Sequence, residues 1–340
     1  MGDPALGLDM RETKLGSLLR LTGLVALLLA SITCLFVFLA MNPYTACKGS
    51  NPESPRPGTS ARSLVSAGLN RCYLLHLPPD YDGDQSLPLV ISLPGFTSNP
   101  KGQEYLTRWN EVADNERFFV VYPQGTSFPL RWNSSTAFMD SDVDDIQFIA
   151  DLIDEVSNIM AVEPSRIYVD GMSNGGSMAN RVACELAGKV AAVGVVTGPP
   201  VEPPGGCNPE RPISLIAFYG TEDPLVAYGG GIVEESFISK LINRSSPPVS
   251  LSSVTSYIEA WAKRNGCAAV SELIPAQGDA SGVRYTGCKD ASEIVFYTIE
   301  GGGHTWPGGR PTFVGKTSSD INASQVMWNF FKAHPLTDVP

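Results

Sequence analysis

The sequence predicts an α/β protein, a doubly wound and mostly parallel sheet preceded by an N-terminal transmembrane helix. Three observations carry this. Short apolar runs rich in β-branched and aromatic residues recur along the chain, a pattern that suits strands buried on both faces. Stretches with a helical apolar stripe fall between them, and strand–helix alternation over most of a chain builds such sheets. Near the N-terminus, Leu21 to Met41 runs 21 residues without a charge.

Taken in order, residues 1–20 read as a short cytosolic tail. The run 21–41 is long enough, at about 1.5 Å per residue, to cross a bilayer core of roughly 30 Å, and it exceeds the 7–15 apolar residues of a cleaved signal. It is expected to act as a signal anchor, with a cleaved signal that leaves a secreted body as the open alternative. Arg20 lies at its N-terminal edge, which favours an N-terminus in the cytosol and a body in the secretory-pathway lumen or outside the cell. Residues 42–67 are rich in Pro, Ser and Gly and read as a linker. A catalytic domain is assigned to 68–340.

Within that domain strands are expected at 72–77, 87–93, 118–122, 166–169, 191–196, 213–218 and 294–299. Helices are expected at 144–160, with Ile146, Ile149, Ile153, Val156 and Met160 on one stripe, and at 177–186, 254–263 and 323–332. Asp142 or Asp144 is available as a cap, and the Asp142, Asp144 and Asp145 cluster reads as capping and surface charge. Residues 228–253 break the rhythm and read as an insertion.

Composition narrows the function. Of 340 residues, 35 are acidic and 24 basic, for a net charge of −11, which disfavours nucleic acid as a partner because phosphate binding needs clustered Lys and Arg. With three His and no CxxC pair, a zinc site of His and Cys is not expected.

The most informative local pattern is Gly171-Met172-Ser173-Asn174-Gly175, set directly between the strand-like RIYVD and the helix-like SMANRVACEL. That is the setting of a nucleophile elbow, in which glycines permit the sharp turn that exposes a serine hydroxyl. A serine needs a base to act as a nucleophile. Of the three His residues, His76 lies in a strand and His334 in the C-terminal tail, whereas His304 lies in the glycine-rich loop GGGHTWPGG just after a strand. The orienting acid is expected at Asp223, in the turn YGTEDP after another strand, with Glu222 as the open alternative. The order Ser173, Asp223, His304 is the one α/β-hydrolases use. Oxyanion donors are expected from the backbone N–H groups of Asn174 and Phe96, since Pro94 has none. Trp132 and Trp306 could line an acyl pocket or serve in packing.

The segments LHLPPDYDG, LPLVISLPGF, VVYPQGT, RWN, VDDIQFIADLID, RIYVDGMSNGGSMANRVACELA, FYGTEDPLVAYGGG and IEGGGHTWPGG, in this order, resemble the esterase family of polyhydroxybutyrate depolymerases and feruloyl esterases. The resemblance covers about 68–334 and implies an α/β-hydrolase fold and hydrolysis of carboxylic esters without cofactor or metal. It implies Ser173 as nucleophile, Asp223 as acid and His304 as base. Family members often carry His-Gly where this chain has Pro94-Gly95 and again where it has Tyr219-Gly220. The family's look also pairs Cys267 with Cys288 and Cys184 with Cys207, leaving Cys47 and Cys72 to pair or stay free.

Sequons at Asn133, Asn243 and Asn322 are glycosylation candidates in a non-cytosolic body. The expected partners are a small or polysaccharide-linked ester and, through the N-terminal helix, the membrane. Two other functions fit the same fold: a catalytically silent ectodomain that binds a partner, and a serine peptidase or thioesterase.

Overall fold

The computed structural model describes residues 55–337 except 84, 136–142 and 234–248. The expected tail, transmembrane segment and the first half of the linker, together with Asn243, lie outside the described residues. Among the described residues no helix is long and apolar enough to cross a membrane.

The strands are β1 (Gly58–Ser66), β2 (Leu69–Leu77), β3 (Leu87–Leu93), β4 (Phe119–Pro123), β5 (Val162–Met172), β6 (Ala192–Val196), β7 (Ser214–Gly220), β8 (Gly231–Val233), β9 (Val249–Leu251), β10 (Glu272–Gln277), β11 (Ala280–Tyr285) and β12 (Ile294–Ile299). The helices are α1 (Pro100–Thr107), α2 (Trp109–Glu116), α3 (Asp145–Ile159), α4 (Asn174–Glu185), α5 (Val254–Arg264) and α6 (Ala323–Ala333). Ten strands form one sheet in the order β1-β2-β4-β3-β5-β6-β7-β12-β11-β10. From β4 to β12 along this order all neighbours are parallel, and an antiparallel pair closes each edge.

The central strands are buried along their whole length, which is why their sequences are continuous apolar runs rather than alternating ones. Each sheet face carries its own core. On one, Phe148, Leu152 and Val156 of α3, Met178 and Val182 of α4 and Ile258 and Trp261 of α5 pack on the strands. On the other, Trp109 of α2 and Met327, Trp328 and Phe331 of α6 do so.

Two expectations need correction. Residues 58–66, read as the end of the linker, form β1. Its inward positions include Arg62 and Ser66, both buried, and the Ser66 hydroxyl donates to Asp151 at 2.6 Å. An edge strand with polar inward residues shows no apolar alternation. Asp144 caps α3 by accepting from the Gln147 N–H at 2.9 Å, but Asp145 is not surface charge. It is fully buried and paired with Arg71 at 2.7 Å, whose guanidinium lies 3.8 Å from the Phe148 ring centroid. The insertion is closed at its base by β8 pairing with β9, and its middle lies outside the described residues.

Candidate active site

Because β3, β5, β7 and β12 are parallel, the turns that follow them open on the same edge of the sheet. These turns carry Pro94-Gly95-Phe96, Ser173, Asp223 and His304 respectively. Sequence distance is converted into proximity by strand order alone.

Ser173 has φ 56° and ψ −123°, a left-handed backbone that a non-glycine residue adopts only when its surroundings impose it. They do so here. The Ser173 N–H donates to Val196 O at 2.9 Å, and its carbonyl accepts from Ser177 N at 2.9 Å to start α4. A side chain on Gly171 would put its Cβ 2.3 Å from Gly175 O, and one on Gly175 would sit 2.2 Å from Leu93 O. Both positions therefore demand glycine, and strand β5, helix α4 and the end of β3 close on one another at this point. As the first residue of α4, Asn174 has a backbone N–H with no acceptor inside the helix. The loop after β3 runs beside the elbow, with a Cβ on Gly95 reaching 3.4 Å from Ser173 Cβ.

His304 and Asp223 meet directly. His304 Nδ1 lies 2.8 Å from Asp223 Oδ2, and both side chains are almost wholly buried. The other carboxylate oxygen accepts from the N–H groups of Leu225 at 2.8 Å and Val226 at 2.9 Å, so the acid is fixed before it meets the imidazole. The Glu222 side chain is exposed, and Asp223 is the one of the two that contacts His304. The His304 loop is pinned on its far side, with its N–H donating to Val314 O at 2.9 Å and the Gly303 N–H to Lys316 O at 3.0 Å. Tyr219 donates its hydroxyl to Gly198 O at 2.6 Å, and burial pushes its phenol well above the usual range.

The two tryptophans are packing residues rather than solvent-facing ones. Trp306 is fully buried and donates its indole N–H to Ser324 Oγ at 3.0 Å, docking the His304 loop on α6. Trp132 is 1 % exposed and bonds to Asn174 and Pro94. Asn133 is nearly as enclosed, at 4 % exposure, with its side-chain amide donating to Val143 O at 2.6 Å, so a glycan there would have to displace that hydrogen bond. Asn322 is the N-cap of α6 and accepts from Gln325 N at 3.1 Å. His76 bridges Thr59 and Asp114, and His334 lies beside Phe330 and Glu293, both away from the elbow turn.

Disulfides join Cys184 to Cys207 and Cys267 to Cys288, and Cys72 is disulfide-bonded as well. Among the described residues no group of three or more His, Cys, Asp or Glu side chains is arranged to hold a metal ion.

Two features escaped sequence reading. Asp170 lies on β5 three residues before Ser173, fully buried, accepting from Ser92 Oγ at 2.7 Å, and desolvation pushes its carboxyl up from 3.8 to about 8. The Asn174 side chain clamps the segment 132–134, which no periodicity marks.

Residues 71–201 match the family model described as esterase PHB depolymerase. NocK of Nocardia uniformis subsp. tsuyamanensis, provisionally named an esterase, is 30 % identical over 84 % of this chain and 93 % of its own length. The chain belongs to the esterase family of polyhydroxybutyrate depolymerases and feruloyl esterases. Its members here are carboxylic ester hydrolases. Feruloyl esterase B of Piromyces equi is 28 % identical over 71 % of this chain, which spans only 44 % of that protein. Acetyl xylan esterase of Aspergillus awamori aligns with a TM-score of 0.54 at 15 % identity, over 80 % of this chain and 99 % of that one, a likeness of fold alone. The fold is that of the α/β-hydrolases.

Proposed function

We propose that this esterase acts as a serine hydrolase through a covalent acyl-enzyme. The observation that carries the reading is the buried His304–Asp223 pair, which stands on the same sheet edge as the strained Ser173 turn. His304 Nε2 takes the Ser173 hydroxyl proton as Oγ bonds to the ester carbonyl carbon. Asp223 stabilises the imidazolium that results. The oxyanion rests on the Asn174 and Phe96 N–H groups, where removal of one donor typically costs about 10²–10³ in rate. The imidazolium passes its proton to the departing alcohol oxygen. Water, deprotonated by the same imidazole, then adds to the acyl carbon, and the imidazolium returns that proton to Ser173 Oγ as the acyl–Oγ bond breaks and the acid is freed.

The relatives' names point to feruloyl and acetyl-xylan esters, and short hydroxyalkanoate esters belong to the same class. The disulfides support an oxidising compartment. We assign residues 21–41 to a membrane anchor, 42–57 to its tether and the body to the lumen or exterior.

Hydrolysis of methyl ferulate and p-nitrophenyl butyrate by the wild type and Ser173→Ala tests the reading. Turnover of either ester that disappears in the variant supports it, and the ratio of the two rates separates an aryl from an aliphatic acyl site. A folded wild type inert toward both turns the reading to a silent ectodomain.

A further inference from the structure

We propose that Trp132 is a positioning residue that locks together the two backbone segments of the oxyanion hole, a role resting on the Asn174 and Phe96 assignment above. Those two donors come from different parts of the chain, one from the start of α4 and one from the loop after β3. An oxyanion hole works only if both point at one spot to within a few tenths of an ångström, so something must hold the segments in register.

Trp132 touches both. Its backbone N–H donates to Asn174 Oδ1 at 2.7 Å and its carbonyl accepts from Asn174 Nδ2 at 3.1 Å. Its indole N–H donates to Pro94 O at 2.9 Å. The neighbouring carbonyl of Leu130 accepts from Thr97 N at 2.8 Å. Peptide units are planar, so the first of these loop contacts fixes the 94–95 unit and the second the 96–97 unit. The Phe96 N–H belongs to the unit between them. It is bracketed on both sides by the single segment 130–132, which is also clasped by the side chain of Asn174.

That segment is itself rigidly founded. Thr126 pairs with Arg131, Asn133 N donates to Asp145 Oδ2 at 2.8 Å, and the Trp132 ring stacks on Phe148 with centroids 6.3 Å apart. Asn174 Nδ2 also donates to Ser134 Oγ at 2.8 Å. Pro94 directly follows β3, at the start of the loop that carries the Phe96 N–H. Its ring supplies no N–H, so its carbonyl is the polar group by which its position can be held.

The test uses the full chain with Trp132→Phe, which keeps an aromatic ring on Phe148 and removes the indole donor. A second variant carries benzothienylalanine at position 132, the same shape with sulfur in place of N–H, and covers the case in which the phenylalanine variant does not fold. The expected result for p-nitrophenyl butyrate is a kcat lowered about 10- to 100-fold with KM changed less than about threefold. Affinity for a trifluoromethyl ketone, which forms the tetrahedral oxyanion, should fall by a similar factor, while inhibition by butyrate stays unchanged. A merely structural tryptophan lowers the melting temperature and leaves kcat and ketone affinity per folded molecule intact, and that result overturns the proposal. If Ser173→Ala retains wild-type turnover, the serine mechanism and the positioning role fall together. If it is inactive while both Trp132 variants match wild type, only the positioning role falls.

Discussion

Asp170→Asn should remove a pH-dependent loss of stability that the wild type carries. Asp170 is fully buried on β5, opposite Gly194 of β6, and its polar partner is Ser92 Oγ, which also accepts from Gln103 Nε2 at 3.0 Å. Met327 of α6 closes against the same spot. Taking a carboxylate into this setting is costly, and the Ser92 hydrogen bond offsets only part of it, so the carboxyl rises from 3.8 to about 8. Below about pH 4 the folded and unfolded chains are both protonated at this position. Between about 4 and 8 the unfolded chain has released the proton and the folded one still holds it, so stability falls as pH rises. Above about 8 both are ionised and the effect levels off. Each pH step in the window is worth about 1.4 kcal/mol, which gives on the order of 4 kcal/mol between pH 5 and pH 8. Asparagine keeps an acceptor for Ser92 and cannot ionise. The melting temperature of the variant relative to wild type should therefore rise by roughly 8 °C from pH 5 to pH 8, at about 2 °C per kcal/mol for a domain of this size. Calorimetry at the two pH values measures it. A difference between variant and wild type that is the same at both would refute the buried, protonated carboxyl.

Three further outcomes follow from the same geometry. Gly175→Ala places a Cβ 2.2 Å from Leu93 O and 2.5 Å from Pro94 O, both rigid backbone atoms, so the loop after β3 must move. Ester turnover should drop by about 100-fold or more together with the melting temperature, and an active, unshifted variant contradicts the close approach. Replacing Cys267 and Cys288 by serine opens a loop of sequence separation 21. The chain-entropy loss is about 3 kcal/mol, seen as a lowered urea midpoint, and an unchanged midpoint speaks against the bond. Asp223→Asn leaves the contact with His304 but spoils the imidazole's orientation and charge, so kcat should fall by about 10⁴. A loss below tenfold would return the acid to another residue.

Much of this was legible in the sequence because the chemistry is local there. Strands β3 and β12 begin and end where their apolar runs do, and β3 is buried at every position, so its run is continuous rather than alternating. The elbow was legible because two glycines and a serine must stand at fixed spacing between a strand and a helix. His304 stands out by elimination among three histidines and Asp223 by its place after a strand, and the structure brings these two side chains together. What was not legible depends on partners distant in sequence. β1 carries its buried side in Arg62 and Ser66, which look like linker residues until Asp151 is beside them. Asp145 looked like one more surface acid until Arg71, 74 residues away, closed on it. Trp132 could be read as a pocket wall or a packing residue, because nothing in RWN reveals that Asn174, 42 positions on, would seize its backbone. Local pattern fixes elements, and strand order decides which side chains meet.

The central claim is that Ser173 carries the acyl group. The most direct measurement is intact-protein and peptide mass spectrometry after brief mixing with p-nitrophenyl butyrate and acid quenching. The account expects one butyryl adduct, on the peptide containing Ser173, formed in step with a burst of p-nitrophenol and absent from Ser173→Ala. An adduct on another residue, or ester hydrolysis by Ser173→Ala at the wild-type rate, would contradict it.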